Sequence, residues 1–343
     1  MVGVGGTSEE RLLADARRGD EAAFELLVER YRGELYAHCY RMLGSVQDAE
    51  DAVQESLLGA WRGLAGFEAR SSLRTWLFRV ATNACLRLGA RRPRRMLSSD
   101  HGPARADVHD LGEPVDGPVW LEPWPDQPPG DDGADPAAAY ARRESVELAF
   151  VAALQHLPAT QRAVLILREV LGFSAAEVAG ILDTTPASVN SAMQRARATV
   201  ERRMPARSQQ AELASLGPDG RSRLVAAFLT AWERADVAAL LDLLAEDARF
   251  TMPPLPAWFD GRWDVGRFLA ERTFATPWRL RPIWANAQPG FACYQRDDQG
   301  RFRLGAVNLL SLRDGQVTWI AGFLDPALLR RFPVPPEISP PDR

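Results

Sequence analysis

The sequence predicts a multidomain chain: two all-α units, the second carrying a helix-turn-helix, followed by an α+β unit with a curved antiparallel sheet. Three observations carry this reading. Apolar residues recur at three- and four-residue spacing through 8–92 and again through 141–205. A stretch rich in Pro, Gly and acids, 93–140, separates the two blocks and shows no sustained apolar period. From about 220 to 332, two helical stretches give way to runs of strand character punctuated by turn residues.

In the first block, Leu12, Leu13 and Ala16 start an apolar stripe that Ala23, Phe24, Leu27, Val28 and Tyr31 continue, and a further run ends at Gly44. Helices over 48–64 and 72–88 follow, and no proline interrupts residues 1–92. The linker is expected to be disordered or only locally ordered, apart from one patch, Val119-Trp120-Leu121-Glu122-Pro123-Trp124-Pro125. Two indoles gain little by staying in water, so the patch is expected to dock. In the second block, Val146 to Leu157 and Thr160 to Leu171 read as helices. Ser174-Ala-Ala-Glu177 is a capping box, and Thr185 caps a last helix with Pro186 at its first position. Helix, short turn, helix is the helix-turn-helix spacing. A polar stretch near 207–219 precedes helices over 224–232 and 237–244. Strands are then expected over 248–252, 280–287, 291–296, 302–312 and 317–323.

No apolar run approaches the ~20 residues a membrane helix needs, and no signal-type sequence opens the chain. The expectation is a cytoplasmic protein without a membrane partner. Cys39, Cys85 and Cys293 form no C-x-x-C pair, and the four His are scattered, so neither a metal site nor a cofactor is expected. Net charge is only −4, but it is unevenly distributed. Residues 9–55 carry six Arg against twelve acids, and 62–95 carry nine Arg against Glu68 alone. Residues 96–136 carry Arg105 against ten acids, and 186–207 carry five Arg against Glu201. Arg concentrated in two separate blocks of a mildly acidic chain points to a polyanion touched in two places.

Three candidate surfaces follow. In the last helix of the second block Val189, Met193, Ala196 and Val200 share the inward face. Ser188, Asn190, Ser191, Gln194, Arg195 and Arg197 then point outward, side chains suited to phosphates and base edges in a major groove. Around Arg74, Trp76, Phe78, Arg79, Thr82 and Asn83, cations alternate with rings and small polar groups, a combination suited to single-stranded nucleic acid. Asp51, Gln54, Glu55 and Leu58 fall at i, i+3, i+4 and i+7 on one helix face, an acidic rim around an apolar centre that would dock a basic helical partner.

The run Asp48-Ala-Glu-Asp51-Ala-Val-Gln54-Glu55 with Trp61, Phe67, Arg74-Thr75-Trp76-Leu77, Arg79, Ala81 and Asn83 resembles the second conserved region of bacterial sigma factors. It is most similar to the extracytoplasmic-function group. Leu157-Pro158-Ala-Thr-Gln161-Arg162 and the helix-turn-helix resemble that group's fourth region. The resemblance implies that Asp51, Gln54, Glu55 and Leu58 grip the clamp helices of the largest subunit of core RNA polymerase. It implies that Arg74, Trp76, Arg79, Thr82 and Asn83 read and melt the minus-ten promoter element. The six outward residues Ser188 to Arg197 would read the minus-thirty-five element. Asn190 and Ala192 stand where the family often has Lys or Arg, which implies a less electrostatic contact.

Residues from about 220 resemble the SnoaL-like cone, a helix-wrapped curved sheet with a pocket, and a subset of these sigma factors carries such a tail. The implied partners are core polymerase and promoter DNA, with the tail a modulator that packs within the chain or takes a small apolar ligand. The tail holds six of the ten Trp, and Trp232, Trp258, Trp263 and Trp284 are the candidate pocket residues. No catalytic residue is assigned: the tail has Asp247, Asp260 and Asp264 but no His. Two other readings stay open at this point. One is a one-component transcription factor sensing a ligand in the tail; the other is an enzyme of SnoaL type on a DNA-binding arm, with Asp247 or Asp260 as its acid.

Overall fold

The structure is a computed structural model and describes residues 4–117, 119–126 and 146–339. The chain divides into two compact units, Met1–Arg94 with Ala153–Arg203, and Arg95–Ala152 with Met204–Arg343.

The first unit is helical throughout its described residues. Helix α1 (Val4–Arg17) leads to α2 (Glu21–Leu43), capped by Asp20, whose carboxylate accepts from Ala23 N, and closed by Gly44 at φ 67°. Ser45 caps α3 (Val46–Gly63) and Ser72 caps α4 (Leu73–Gly89). Leu27, Leu35, Tyr40, Leu77 and Phe78 form the shared interior, all nearly or fully buried. Helix α5 (Leu148–Gln155) contains the boundary between the units, and α6 (Ala159–Leu165) runs on into a π turn, Ile166–Val170. The capping box forms as the sequence requires: Ser174 Oγ accepts from Glu177 N while Glu177 Oε2 accepts from Ser174 N at 2.8 Å, starting α7 (Ala175–Ile181). Asp183 turns the chain at φ 52° into α8 (Pro186–Glu201).

Within this unit the two helical blocks pack on each other. Arg162 and Gln155 close the carboxyl end of α2, whose last carbonyls have no helical partner. Gln155 Nε2 donates to Arg41 O at 3.2 Å, and the Arg162 guanidinium donates to Met42 O, Gln155 O and Leu157 O. Burial pushes the Arg162 guanidinium down to about 10.

The second unit is α+β. Helix α9 (Gln209–Glu233) breaks at Gly217 (φ 65°, ψ 175°) before Pro218, and α10 (Val237–Leu243) follows. Strands β1 (Leu244–Thr251) and β2 (Trp258–Asp260), helix α11 (Arg262–Glu271), then β3 (Trp278–Ala285), β4 (Gln288–Arg296), β5 (Phe302–Arg313), β6 (Gln316–Phe323) and β7 (Glu337–Ile338) complete it. The sheet order is β2-β1-β6-β5-β4-β3, with β7 on β5. A wholly antiparallel sheet is therefore corrected to a mixed one: β1 and β6 run parallel, with Phe250 opposite Ile320. The chain returns to β1 only after β2, α11 and the β3–β5 meander, a long crossover of the kind parallel neighbours require. Phe228 of α9 stacks on Phe291 of β4 (5.0 Å between centroids), and Phe268 of α11 stacks on Phe259 of β2 (4.6 Å), which joins helices to sheet.

Two further expectations change. The polar stretch near 207–219 is a helical turn of the second unit. Gln209 is buried because its side chain pairs with both groups of Leu312 (Nε2 to O at 3.0 Å, Leu312 N to Oε1 at 2.6 Å), and Glu212 accepts from Asp314 N. The linker is ordered over 95–117 and 119–126. Arg105 N donates to Trp258 O, Val115 N to Pro254 O, and Met96 pairs with Trp120 in a short bridge. Val108, Trp120 and Leu121 are buried, and that burial outweighs the low hydrophobicity of the segment as a whole. The remainder of the linker lies outside the described residues.

Candidate polymerase and promoter surfaces

Helix α3 presents the acidic face as its spacing demands. Ala49, Ala52, Val53, Ser56 and Ala60 face inward, so Asp51, Gln54, Glu55 and Leu58 are all exposed. Leu58 is 56% exposed, a large apolar side chain left in water amid acids, and Leu26 of α2 is 65% exposed. Sequence reasoning passed over Leu26; its signal was an apolar residue beside Leu27, outside the stripe. Glu55 Oε1 accepts from Arg87 Nη2 at 2.7 Å, both side chains about half exposed, so the pair exchanges readily with a partner's charge.

Helix α4 sorts its five candidates. Arg79 is exposed; Trp76 and Asn83 are half-buried, with Trp76 5.0 Å from the Phe67 ring. Thr82 is fully buried and bonds His38 Nε2 through Oγ1 at 2.9 Å. It shares the buried face of α4 with Phe78, Ala81 and Cys85, apart from exposed Arg79. His38 is itself buried, and burial, reinforced by the Arg41 charge, lowers its imidazole to about 3, so it is neutral. Arg74 is half-buried and already engaged within its unit. Its Nε and Nη2 donate to Glu34 Oε2 at 3.1 Å, Nη1 and Nη2 donate to Leu171 O at 3.3 Å, and the guanidinium lies over Phe173 (4.6 Å) and Phe78 (5.1 Å). Beside it, Thr75 Oγ1 donates to Glu177 Oε1 at 3.4 Å, and bonds from the Ser174 backbone and hydroxyl hold the Glu177 carboxyl below the usual range.

Helix α8 fulfils its pattern. Val189, Ala192, Met193, Ala196 and Val200 are buried, while Ser188, Asn190, Ser191, Gln194, Arg195 and Arg197 are all exposed. Arg197 pairs with Glu169, whereas Arg195 has no ion pair among the described residues.

The four candidate tryptophans of the tail divide between core and surface. Trp232 is buried in the core, stacked on Phe228, and its Nε1 has no hydrogen-bond partner among the described residues. Trp258 is buried and donates to Gly102 O at 2.8 Å, while Trp263 and Trp284 are 68% and 45% exposed. They sit on four different elements, α9, β2, α11 and β3. A described cleft is polar instead, lined by Glu246, Asp247, Arg262, Arg313 and Gln316. There Asp247 accepts twice from Arg313, which holds its carboxyl below the ordinary value. Outside that lining, Asp260 pairs with Arg249 at 3.2 Å. Among the described residues no metal-binding cluster forms, and no helix is long and apolar enough to cross a membrane.

Family comparisons match these units in order. Residues 27–95 match sigma-70 region 2, 147–200 match sigma-70 region 4, and 225–320 match the SnoaL-like domain. The chain is 43% identical over 329 residues to the ECF RNA polymerase sigma factor SigG of Mycobacterium tuberculosis, covering 94% of this chain and 86% of that protein. It is 28% identical over 194 residues to the sigma-H factor of Pseudomonas aeruginosa, covering 57% of this chain and 92% of that one. The crystal structure of the extracytoplasmic function sigma factor SigJ of Mycobacterium tuberculosis has the same fold. It superposes with a TM-score of 0.59 at 22% identity, over 90% of this chain and all of that one. Sigma regions 2 and 4 in order, a SnoaL-like tail, and a relative this similar along nearly the whole chain establish that the protein belongs to the ECF RNA polymerase sigma factors.

Proposed function

We propose that this sigma factor docks on core polymerase through the exposed face Asp51, Gln54, Glu55 and Leu58, with the clamp helices of the largest subunit as its partner. It reads the minus-thirty-five element with Ser188, Asn190, Ser191, Gln194, Arg195 and Arg197. Trp76, Arg79 and Asn83 act at the minus-ten element, where the ring takes the place of an extruded base and Arg79 tracks the backbone. The observation that carries this reading is the outward row on α8: six polar side chains exposed over a fully packed inner face, at the second helix of a helix-turn-helix. Arg74 joins the DNA contacts only after exchanging Glu34 and Leu171 for phosphate, so the described arrangement of the first unit is a resting one.

The SnoaL-like unit acts as a built-in modulator in the cytoplasm rather than as an enzyme. Asp247 accepts twice from Arg313, which favours its ionised form and makes it a poor proton donor, and Asp260 is paired with Arg249. Run-off transcription with purified core polymerase tests the proposal. Promoter-dependent initiation that full-length protein supports and Arg79→Ala with Arg195→Ala abolishes is expected. Initiation unchanged in that double variant would overturn the assignment of the reading surfaces.

A further inference from the structure

Where the two helical blocks of the first unit end, two arginines face one histidine. His156 follows α5 and is half-buried. Its Nδ1 lies 3.2 Å from Nη1 of Arg94, past the end of α4, and its Nε2 lies 3.3 Å from Nη1 of Arg203, past the end of α8. All three residues belong to the first unit. A neutral imidazole has one N–H and one lone pair, so one guanidinium meets an acceptor and the other faces a donor. A protonated ring faces both with donors. Among the described residues these are the only side-chain hydrogen bonds of Arg94 and Arg203, and neither has an ion pair. Glu201, close to Arg203 in the chain, pairs with neither. The carbonyls of the adjoining turn, those of Leu154, Gln155 and Leu157, already accept from the Arg162 guanidinium. Burial, reinforced by the Arg94 charge, lowers Arg162 to about 10, the mark of cations in mutual repulsion. Arg91 and Arg202, exposed neighbours of the pair in the chain, likewise have no ion pair among the described residues.

We propose that Arg94, His156 and Arg203 form an anion site whose ligand is a diphosphate group, free or carried by a nucleotide. Each guanidinium is a planar fork that takes two phosphoryl oxygens, and two forks at the two nitrogens of one ring match two linked phosphoryl groups. A phosphoryl oxygen also accepts from whichever ring nitrogen carries the proton, which removes the conflict between donors. The site has a consequence for initiation, and that consequence rests on the sigma-factor reading above. Elements named minus-ten and minus-thirty-five lie about 25 base pairs, or about 85 Å, apart along the duplex. A packed unit of this size has a radius of gyration of about 15 Å, so its two blocks part when both elements are read. Arg94 closes one block and Arg203 the other. The diphosphate therefore binds the resting arrangement, stabilises it by mass action, and opposes engagement of core polymerase.

Titration calorimetry of the full-length protein with inorganic pyrophosphate, in low-salt buffer free of other phosphates, tests the site. Wild type is expected to bind, and Arg94→Gln and Arg203→Gln each to bind at least about tenfold more weakly. Arg234→Gln removes an exposed cation of the second unit and is expected to bind as wild type does. Orthophosphate, which fills one fork, is expected to bind at least about tenfold more weakly than pyrophosphate. No binding, an unchanged titration in Arg94→Gln or Arg203→Gln, an equal loss in Arg234→Gln, or orthophosphate as tight as pyrophosphate would each overturn the site. ADP titrated in the same way separates the two sources: affinity at or above that of pyrophosphate assigns the group to a nucleotide, and lower affinity assigns it to the free anion. Pull-down of core polymerase at rising pyrophosphate tests the consequence. Capture by wild type is expected to fall, and capture by Arg94→Gln with Arg203→Gln to stay level. An equal response of the two proteins would overturn the coupling. Wild type that captures no core polymerase even without pyrophosphate would overturn the sigma reading, while the calorimetry would still decide the site.

Discussion

Replacing Arg74 with Ala tests how the two helical blocks of the first unit are held. The guanidinium bonds the Glu34 carboxylate and the Leu171 carbonyl and lies over two phenyl rings. Charge-assisted bonds contribute about 1.5–3 kcal/mol when buried, but Arg74 and Glu34 are each about a third exposed, so that figure falls to about 1 kcal/mol here. The ring contacts add about 1 kcal/mol. Losing about 2 kcal/mol raises the opening equilibrium of the segment around Leu171 by about thirtyfold. Hydrogen exchange read by mass spectrometry on peptides covering 166–177 is the assay. The amides of Leu171 and Phe173 bond Ile166 O and Leu167 O and report the local opening. Glu34→Gln should show a smaller increase, because it weakens one bond and keeps the rest. The two variants should then part company in transcription. Arg74→Ala loses its proposed DNA contact, whereas Glu34→Gln loosens the resting state and spares it. Exchange at 166–177 unchanged in Arg74→Ala would refute the reasoning.

Arg195→Ala should cost about 1–3 kcal/mol in promoter binding and relax preference at one minus-thirty-five position; binding measured over single-base promoter variants decides, and a uniform loss would make it a phosphate contact. Asp51→Arg with Glu55→Arg should abolish pull-down of core polymerase while circular dichroism stays unchanged, and unaltered pull-down would remove that face from the docking site. His38 makes stability depend on pH. Its folded value, about 3, lies below the unfolded 6.5, so the unfolded chain binds the extra proton and stability falls as pH drops from 6.5 toward 3. Urea melts should therefore lose about 2 kcal/mol between pH 7 and pH 5 through this residue. His38→Gln should flatten that slope; an identical slope in the variant would exclude His38 as its source.

Local chemistry alone determined much of this protein. The caps at Ser45, Ser72, Ser174 and Thr185 and the stripe Val189–Met193–Ala196–Val200 specify helices and their faces, because a helix end and a helix face are decided within a few residues. The outward row on α8 and the acidic face of α3 were legible for that reason. What covers a face is decided by residues far away in the chain, and periodicity does not name them. Thr82 and Arg79 both looked available from spacing, yet His38, forty-four residues back, takes Thr82 into the core. Arg74 reads as a free cation until Glu34 and Leu171 close on it. The linker has the composition of a solvated segment, but the second unit offers it buried contacts at Trp120 and backbone partners at Trp258, Pro254 and Asn286. The parallel pairing of β1 with β6 and the division of the four candidate tryptophans between core and surface are likewise properties of the assembled unit and of no single strand.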